Sequence, residues 1–268
     1  MAQAVTGRTA VLAIIGDPIA QARAPGLVNP VLAARGIDAV LVPLQVPAGG
    51  LSAAVAGLRV IGSFLGAIVT MPHKTAMVAL LDDVSAEARE VGACNVIRRD
   101  SHGRLSGTML DGEGFAEGFL AAGHAVRGKR IFLAGAGGAA SAIAFSLARR
   151  GAAALVLHNR TAARSEDLAR RLRAVFPTLE IALGRTSPAE CDIAINGTSL
   201  GMKAGDPLPF SPGDLAPPMV AADVISHRER TEYLTEAERR GCAVHSGLAM
   251  LSHQIDLMIA YMLAQEIP

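Results

Sequence analysis

The chain of 268 residues has no tryptophan and only two tyrosines, and aromatics make up 3% of it. Stacking platforms for nucleobases are therefore scarce. Charge of one sign is missing too: 25 basic against 24 acidic residues leave a formal net charge of +1, with no block of either sign. Neither a nucleic acid nor an anionic membrane surface is expected as the main partner. The three cysteines, Cys94, Cys191 and Cys242, are odd in number and far apart. That excludes a disulfide framework and a metal motif and leaves them as small buried apolar residues. His245 and His253 lack a helix-face metal spacing. No long hydrophobic run occurs: 11–15 is too short for a signal peptide or a membrane span, so a cytoplasmic location is the default expectation. No internal repeat or low-complexity linker stands out.

What is present is a compact globule, 51% hydrophobic and 18% charged, long enough to bury a sizeable core. Short apolar runs at 11–15, 38–46 and 66–69 read as strands, separated by helices at 25–35 and 51–60. Helices at 75–81 and 85–91 follow, then two short strands at 95–98 and 105–109. A bridging helix is expected over 111–122, with the domain boundary just before Asp111. Beyond it come strands at 131–134, 154–157, 180–183, 192–196 and 219–224. The helices between and after them cover 138–150, 162–175 and 229–240, and a final apolar helix covers 248–265. Alternation of this kind predicts an α/β fold with mostly parallel sheets. Oligomeric state is not readable.

The centre of the pattern is the run Ile131 to Ala140. A continuous apolar strand ends in Gly135-Ala136-Gly137-Gly138-Ala139-Ala140, and a helix begins there. Gly135 suits a sharp turn, Gly137 lets the backbone approach a pyrophosphate on the positive helix end, and Ala140 allows close helix–strand packing. A plain glycine turn has the same local pattern. The next strand ends at His158-Asn159-Arg160-Thr161, where an NAD-binding unit usually carries an acid for the ribose 2′-hydroxyl. Arg160 and Arg164 stand there instead, and guanidinium forks suit a 2′-phosphate, so the expected cofactor is NADP. Solvated residues at a helix start are the alternative reading of both arginines.

Further motifs lie at Gly16-Asp17-Pro18-Ile19, Val69-Thr70-Met71-Pro72-His73-Lys74, Gly92-Ala93-Cys94-Asn95 and Asp111-Gly112. Two more are Asn196-Gly197-Thr198-Ser199-Leu200-Gly201-Met202 and Gly247-Leu248-Ala249-Met250-Leu251 followed by Gln254. With the glycine turn and Asn159-Arg160-Thr161, their order and spacing resemble the shikimate dehydrogenase family over about 11–264. The resemblance implies a substrate domain of 1–110 plus 247–268, a Rossmann NADP domain of 111–246, and a site in the cleft between them. It implies that Lys74 is the catalytic lysine, that Asp111 pairs with it, and that Thr70, Asn95 and Gln254 are substrate-site residues. It also implies cofactor contacts at Asn196, Thr198 and Gly247.

The residues support that chemistry in their own right. Reduction of a ketone by hydride needs a proton for the developing alkoxide, and lysine in water, with a pKa of about 10.4, is a donor at neutral pH. A neighbouring carboxylate favours the charged ammonium and burial opposes it. A surface lysine after a proline turn and an N-cap aspartate are the alternative readings of Lys74 and Asp111. His73 reads more simply as a core or solvated histidine than as a proton relay. Arg149-Arg150 and Arg170-Arg171 with Arg173 read as solvated helix faces.

The chain also departs from the family pattern. The family's two carboxylate-binding serines are Ala22 and Ala24 here, and an asparagine is Ile68. Asn-Thr is replaced by Met109-Leu110, and an expected tyrosine by Ser226. The hydroxyl-handling set is kept and the carboxylate-handling set is gone. Two lost bonds to a charged group, about 1.5–3 kcal/mol each, weaken carboxylate binding by roughly a hundred- to ten-thousandfold. The expectation is an NADP oxidoreductase of this type acting on a hydroxylated ring, with shikimate not its preferred substrate. An NADP-binding sensor without turnover, or a shikimate enzyme with a remodelled carboxylate site in which Arg23 supplies the charge, are the alternatives.

Overall fold

The computed structural model describes residues 4–264, and they form two compact units. The first comprises the residues through Leu110 together with those from Gln254 on; the second is Asp111–His253.

In the first unit, β1 (Ala10–Gly16), α1 (Ala24–Ala34), β2 (Ala39–Gln45), α2 (Leu51–Val60) and β3 (Phe64–Val69) form two successive β–α–β units. Then come α3 (Lys74–Met77), β4 (Asp83–Val84), α4 (Ala86–Val91), β5 (Val96–Arg99) and β6 (Leu105–Thr108). The six strands lie in the order β2-β1-β3-β5-β6-β4. Strands β1, β2 and β3 are parallel, and β5 runs antiparallel to both β3 and β6. The alternation of a strand buried on both faces is visible in β1. Leu12 and Ile14 join the core cluster that includes Leu41, Ile68 and Val96, while Ala13 and Ile15 join the opposite cluster with Leu51 and Val55 of α2.

The second unit opens with α5 (Asp111–Ala121). It continues through β7 (Arg130–Ala134), α6 (Gly138–Arg149), β8 (Ala154–His158), α7 (Ala162–Val175), β9 (Glu180–Leu183) and β10 (Ile193–Asn196). It ends with β11 (Val220–Asp223), α8 (Glu232–Arg239), β12 (Ala243–His245) and α9 (Gly247–Ser252). Every pairing in its sheet is parallel, in the order β12-β11-β10-β7-β8-β9. Counted from β7, that is the doubly wound order 3-2-1-4-5-6, whose strand order reverses between β7 and β10.

The end of the chain differs from the expected single helix. Helix α9 stops at Ser252, and α10 (Ile255–Met262) is separate; Gln265 lies outside the described residues. The division also falls at 254, not 247. Helix α9 belongs to the second unit because Gly118 of α5 brings the two backbones together: a Cβ at Gly118 would come within 3.2 Å of the Ala249 Cβ. Helix α10 instead gives Ile255, Met258, Ile259 and Met262 to the first unit's core. Two short strands, β4 and β12, carry too little pattern to be found in the sequence. The expected helix over 75–81 starts as α3 and tightens to a 3-10 turn at Val78–Leu80. The expected helix from 229 begins at Glu232, with the Thr231 side chain accepting from the Leu234 N–H.

Arg150 is not merely a solvated helix residue. It reaches Glu113 at 2.7 Å and Glu117 at 2.6 Å, tying the end of α6 to α5. Arg170 and Arg171 both pair with Asp167 on their own helix, as surface residues do.

Candidate active site

In the first unit the parallel strands β1 and β3 end side by side, and the chain turns sharply at both ends. The Asp17 N–H donates to the Met71 carbonyl at 3.0 Å, and the Thr70 N–H donates to Ile15 at 2.9 Å. Thr70 thus sits against Gly16, at the carboxyl end of the sheet where open α/β folds place ligands. His73 is 2% exposed, and its Nε2–H donates to the Val46 carbonyl at 2.7 Å. That bond fixes the ring as a strut of the turn, not a proton relay. Lys74 begins α3 directly after it, half-buried, and its carbonyl accepts from the Cys94 N–H at 2.8 Å.

That last bond brings the segment of Asn95 beside Lys74. Asn95 is 1% exposed: its Oδ1 accepts from the Leu110 N–H at 2.8 Å and its Nδ2 donates to Gln254 Oε1 at 3.1 Å. Gln254 stands at the start of α10, also 1% exposed. Two residues 159 positions apart therefore form one buried amide pair. Ile68, Ala24 and Ile19 are buried in a single cluster with Ile255, and the half-buried Ala22 and Leu110 pack onto it. Arg23 is exposed at the head of α1. All the first-unit residues named from the sequence thus lie at or next to the β1–β3 end.

In the second unit Asp111 is 2% exposed in the first turn of α5, inside the helix, not ahead of it. The glycine turn leaves β7 at Gly135, whose φ of +111° a side chain would strain. A Cβ there would stand 2.6 Å from the Gly197 carbonyl oxygen, so the turns after β7 and β10 touch backbone to backbone at the reversal of strand order. Ala140 is fully buried, 2.8 Å from where a Gly197 Cβ would stand. At Gly137, by contrast, a Cβ would point into open space, and no side chain caps the start of α6. Ala136, Gly138 and Ala139 are half-buried around this opening. The turn leaves exposed helix N–H groups and room for an anion, which fits a dinucleotide pyrophosphate.

Arg160, Thr161 and Arg164 are all exposed at the start of α7, and Asn159 Nδ2 shapes their turn by donating to the Thr161 carbonyl at 2.9 Å. A cavity of about 230 Å³ opens beside them, lined by residues including His158, Asn159, Ser165, Glu166 and Gly184. The sequence reading missed Glu166; its position one turn into α7 is the only signal, and it is shared by any helix-face acid. Asn196 is fully buried. Its amide donates to Leu200 and Asp223, and its oxygen accepts from the Thr198 N–H and hydroxyl. It holds the loop in shape and leaves the surface to Thr198. Gly247 is explained by packing, since a Cβ there would come 2.6 Å from the Ile225 carbonyl oxygen.

Asp223, at the end of β11, is fully buried, and burial pushes its carboxyl up to about 6. Bonds from Thr231, the Ile225 N–H and Asn196 pull the other way. Among the described residues no group of three His, Cys, Asp or Glu is placed to hold a metal. No helix in them is long and apolar enough to cross a membrane.

Fold and site define an α/β protein with a doubly wound dinucleotide-type unit and a second, mixed-sheet unit carrying a lysine and an amide pair. Residues 14–97 match the shikimate dehydrogenase substrate-binding domain, and 120–202 match the shikimate/quinate 5-dehydrogenase domain. A shikimate dehydrogenase (NADP(+)) of Rubrobacter xylanophilus is 39% identical over 93% of this chain and 89% of its own. Among solved structures, Listeria monocytogenes shikimate 5-dehydrogenase with shikimate and NAD has a TM-score of 0.86 and 31% identity, covering 100% of this chain and 96% of that one. The 5-ketofructose reductase of a Gluconobacter strain has a TM-score of 0.83, also at 31% identity, covering 98% and 96%. The chain belongs to the shikimate dehydrogenase family, oxidoreductases acting on CH–OH groups.

Proposed function

We propose that this protein is an NADP(H)-dependent dehydrogenase that interconverts a secondary alcohol and a ketone on a hydroxylated ring, with reduced activity on shikimate itself. The observation that carries the reading is Lys74, fixed at the β1–β3 end beside the buried Asn95–Gln254 pair. An ammonium group there donates the proton that a developing alkoxide needs, and carboxamides, with donors and acceptors both, suit ring hydroxyls. Asp111 is proposed as the acidic member of the catalytic set, as the family pattern implies. When bound, NADPH supplies the hydride. The Gly135–Ala139 turn and the open start of α6 would hold its pyrophosphate, with Thr198 and Gly247 at the neighbouring loops and Asn196 shaping the first of them. Asn159 and Thr161 would frame the ribose, and Arg160 and Arg164 would take the 2′-phosphate. The NADP(+) in the Rubrobacter relative's name supports that choice, while the NAD in the Listeria structure makes it worth testing. The Gluconobacter relative is named for a ketose, which bears no carboxylate, so family membership alone does not require one.

Steady-state oxidation of shikimate, followed by NADPH absorbance, tests the substrate half. The expected kcat/KM is lower than that of an ordinary family enzyme by about a hundredfold or more, the size of the lost carboxylate bonds. A value within about tenfold would overturn it. Lys74→Ala is expected to lower kcat on any accepted substrate by about a hundred- to ten-thousandfold while NADPH still binds.

A further inference from the structure

Resting on that reading, we infer that the true substrate is an uncharged polyhydroxy ketone or alcohol, and that Ala22, Ala24 and Ile68 are the residues that exclude a carboxylate. The inference comes from the donors available around the amide pair. The chain neighbours of Asn95 and Gln254, Val96 and Ile255, are buried in one apolar cluster with Ile19, Ala24 and Ile68, and the half-buried Ala22 and Leu110 pack onto it. A carboxylate seated there would have to be stripped of water against aliphatic side chains, which is costly unless donors replace the water.

Several donors around the start of α1 are already in use. The Ala22 N–H donates to the Ile19 carbonyl at 2.9 Å, and the Gly26 N–H donates to Arg23 at 3.0 Å. Pro25 has no N–H, which removes another donor from the start of α1. The Gln21 amide donates to the Pro18 carbonyl at 2.9 Å, and Gln45 donates to Asp17 at 2.9 Å. The charge of Arg23 lies at the exposed head of α1, outside the apolar cluster. Apart from Thr70 and Lys74, the latter assigned to the reacting oxygen, the site offers a neutral amide pair beside an aliphatic wall. Carboxamides offer both donor and acceptor atoms, which matches hydroxyls, each of them donor and acceptor; a carboxylate accepts only. The reaction is the one proposed above: the ketone carbon takes a hydride from the nicotinamide cofactor, its oxygen takes a proton, and a secondary alcohol results.

The test compares shikimate with its methyl ester, which keeps the ring hydroxyls and removes the charge. The wild-type enzyme with NADP is expected to oxidise the ester with kcat/KM about tenfold or more above the acid. In Ala22→Ser/Ala24→Ser, and in that variant with Ile68→Asn added, the ester-to-acid ratio should fall by about tenfold or more. The wild-type ratio stands by itself if Ile68→Asn impairs folding. A preference for the acid, or an acid activity that Arg23→Ala abolishes, overturns this inference and leaves the proposed function intact. No oxidation of acid or ester, and no reduction of a neutral ketose such as 5-ketofructose, by enzyme that binds NADPH would overturn both.

Discussion

Arg160 is the position at which the proposed cofactor choice is most directly tested. It stands with Arg164 at the exposed start of α7, and the strand end 158–161 carries no acid. A guanidinium attracts a 2′-phosphate, whereas a carboxylate accepts from a 2′-hydroxyl and repels the phosphate. Arg160→Asp is expected to move the NADP/NAD ratio of kcat/KM toward NAD by about tenfold or more, read with whichever substrate is accepted. An unchanged ratio would remove Arg160 from the cofactor site. Other single residues of the motifs have structural roles. His73 is a strut, Asn196 is a loop clamp, and Gly247 is small because a backbone passes close by. A motif preserves residue identity for either reason, and only the hydrogen bonds tell contact from support.

At the scale of elements, α5 lies tightly against two neighbours through glycines. A Cβ at Gly112 would fall on the Ala142 carbonyl of α6, a backbone group that cannot swing aside. A Cβ at Gly118 would come 3.0 Å from the Ala249 carbonyl oxygen of α9, an overlap that a small shift relieves. By helix propensity alone, both Gly→Ala changes would stabilise α5 by about 1 kcal/mol. Packing reverses this at Gly112. Gly112→Ala is expected to cost about 1–3 kcal/mol, and Gly118→Ala clearly less, when thermal midpoints are compared. Equal stabilisation by both would show that α5 is not seated as described. Arg150 adds to the same seating through Glu113 and Glu117. The sequence did not reveal this contact, because Arg150 lies 37 residues from Glu113 and 33 from Glu117, beyond β7 and α6.

For the molecule as a whole, two buried groups of the second unit make stability contributions with opposite pH slopes. His245 is 4% exposed, with its ring edge-on to Phe115, Phe119 and His124. Burial first, then His124 and His253, push its pKa from 6.5 down to about 4. The unfolded chain therefore takes up this proton first, and stability is lost as pH falls from 6.5 toward 4. Asp223, raised from 3.8 to about 6, takes up its proton first in the folded chain, so stability is gained as pH falls from 6 toward 3.8. The two offset each other over the shared range. His245→Leu removes the losing term, so its melting midpoint relative to wild type should climb by about 2–6 °C between pH 6.5 and 4.5. A pH-independent difference would refute the assignment. The apolar strand runs, the glycine turn, the arginines in place of an acid, and the ordered motifs from Gly16 to Gln254 were all legible in the sequence. They are local patterns of burial period and turn chemistry, and these set the α/β class and the cofactor half. The Asn95–Gln254 pair, the placement of α9 with α5, the separate α10 and the apolar cluster around Ile68 were decided only by the tertiary structure. Each depends on groups far apart in sequence meeting at one distance, which no local period encodes.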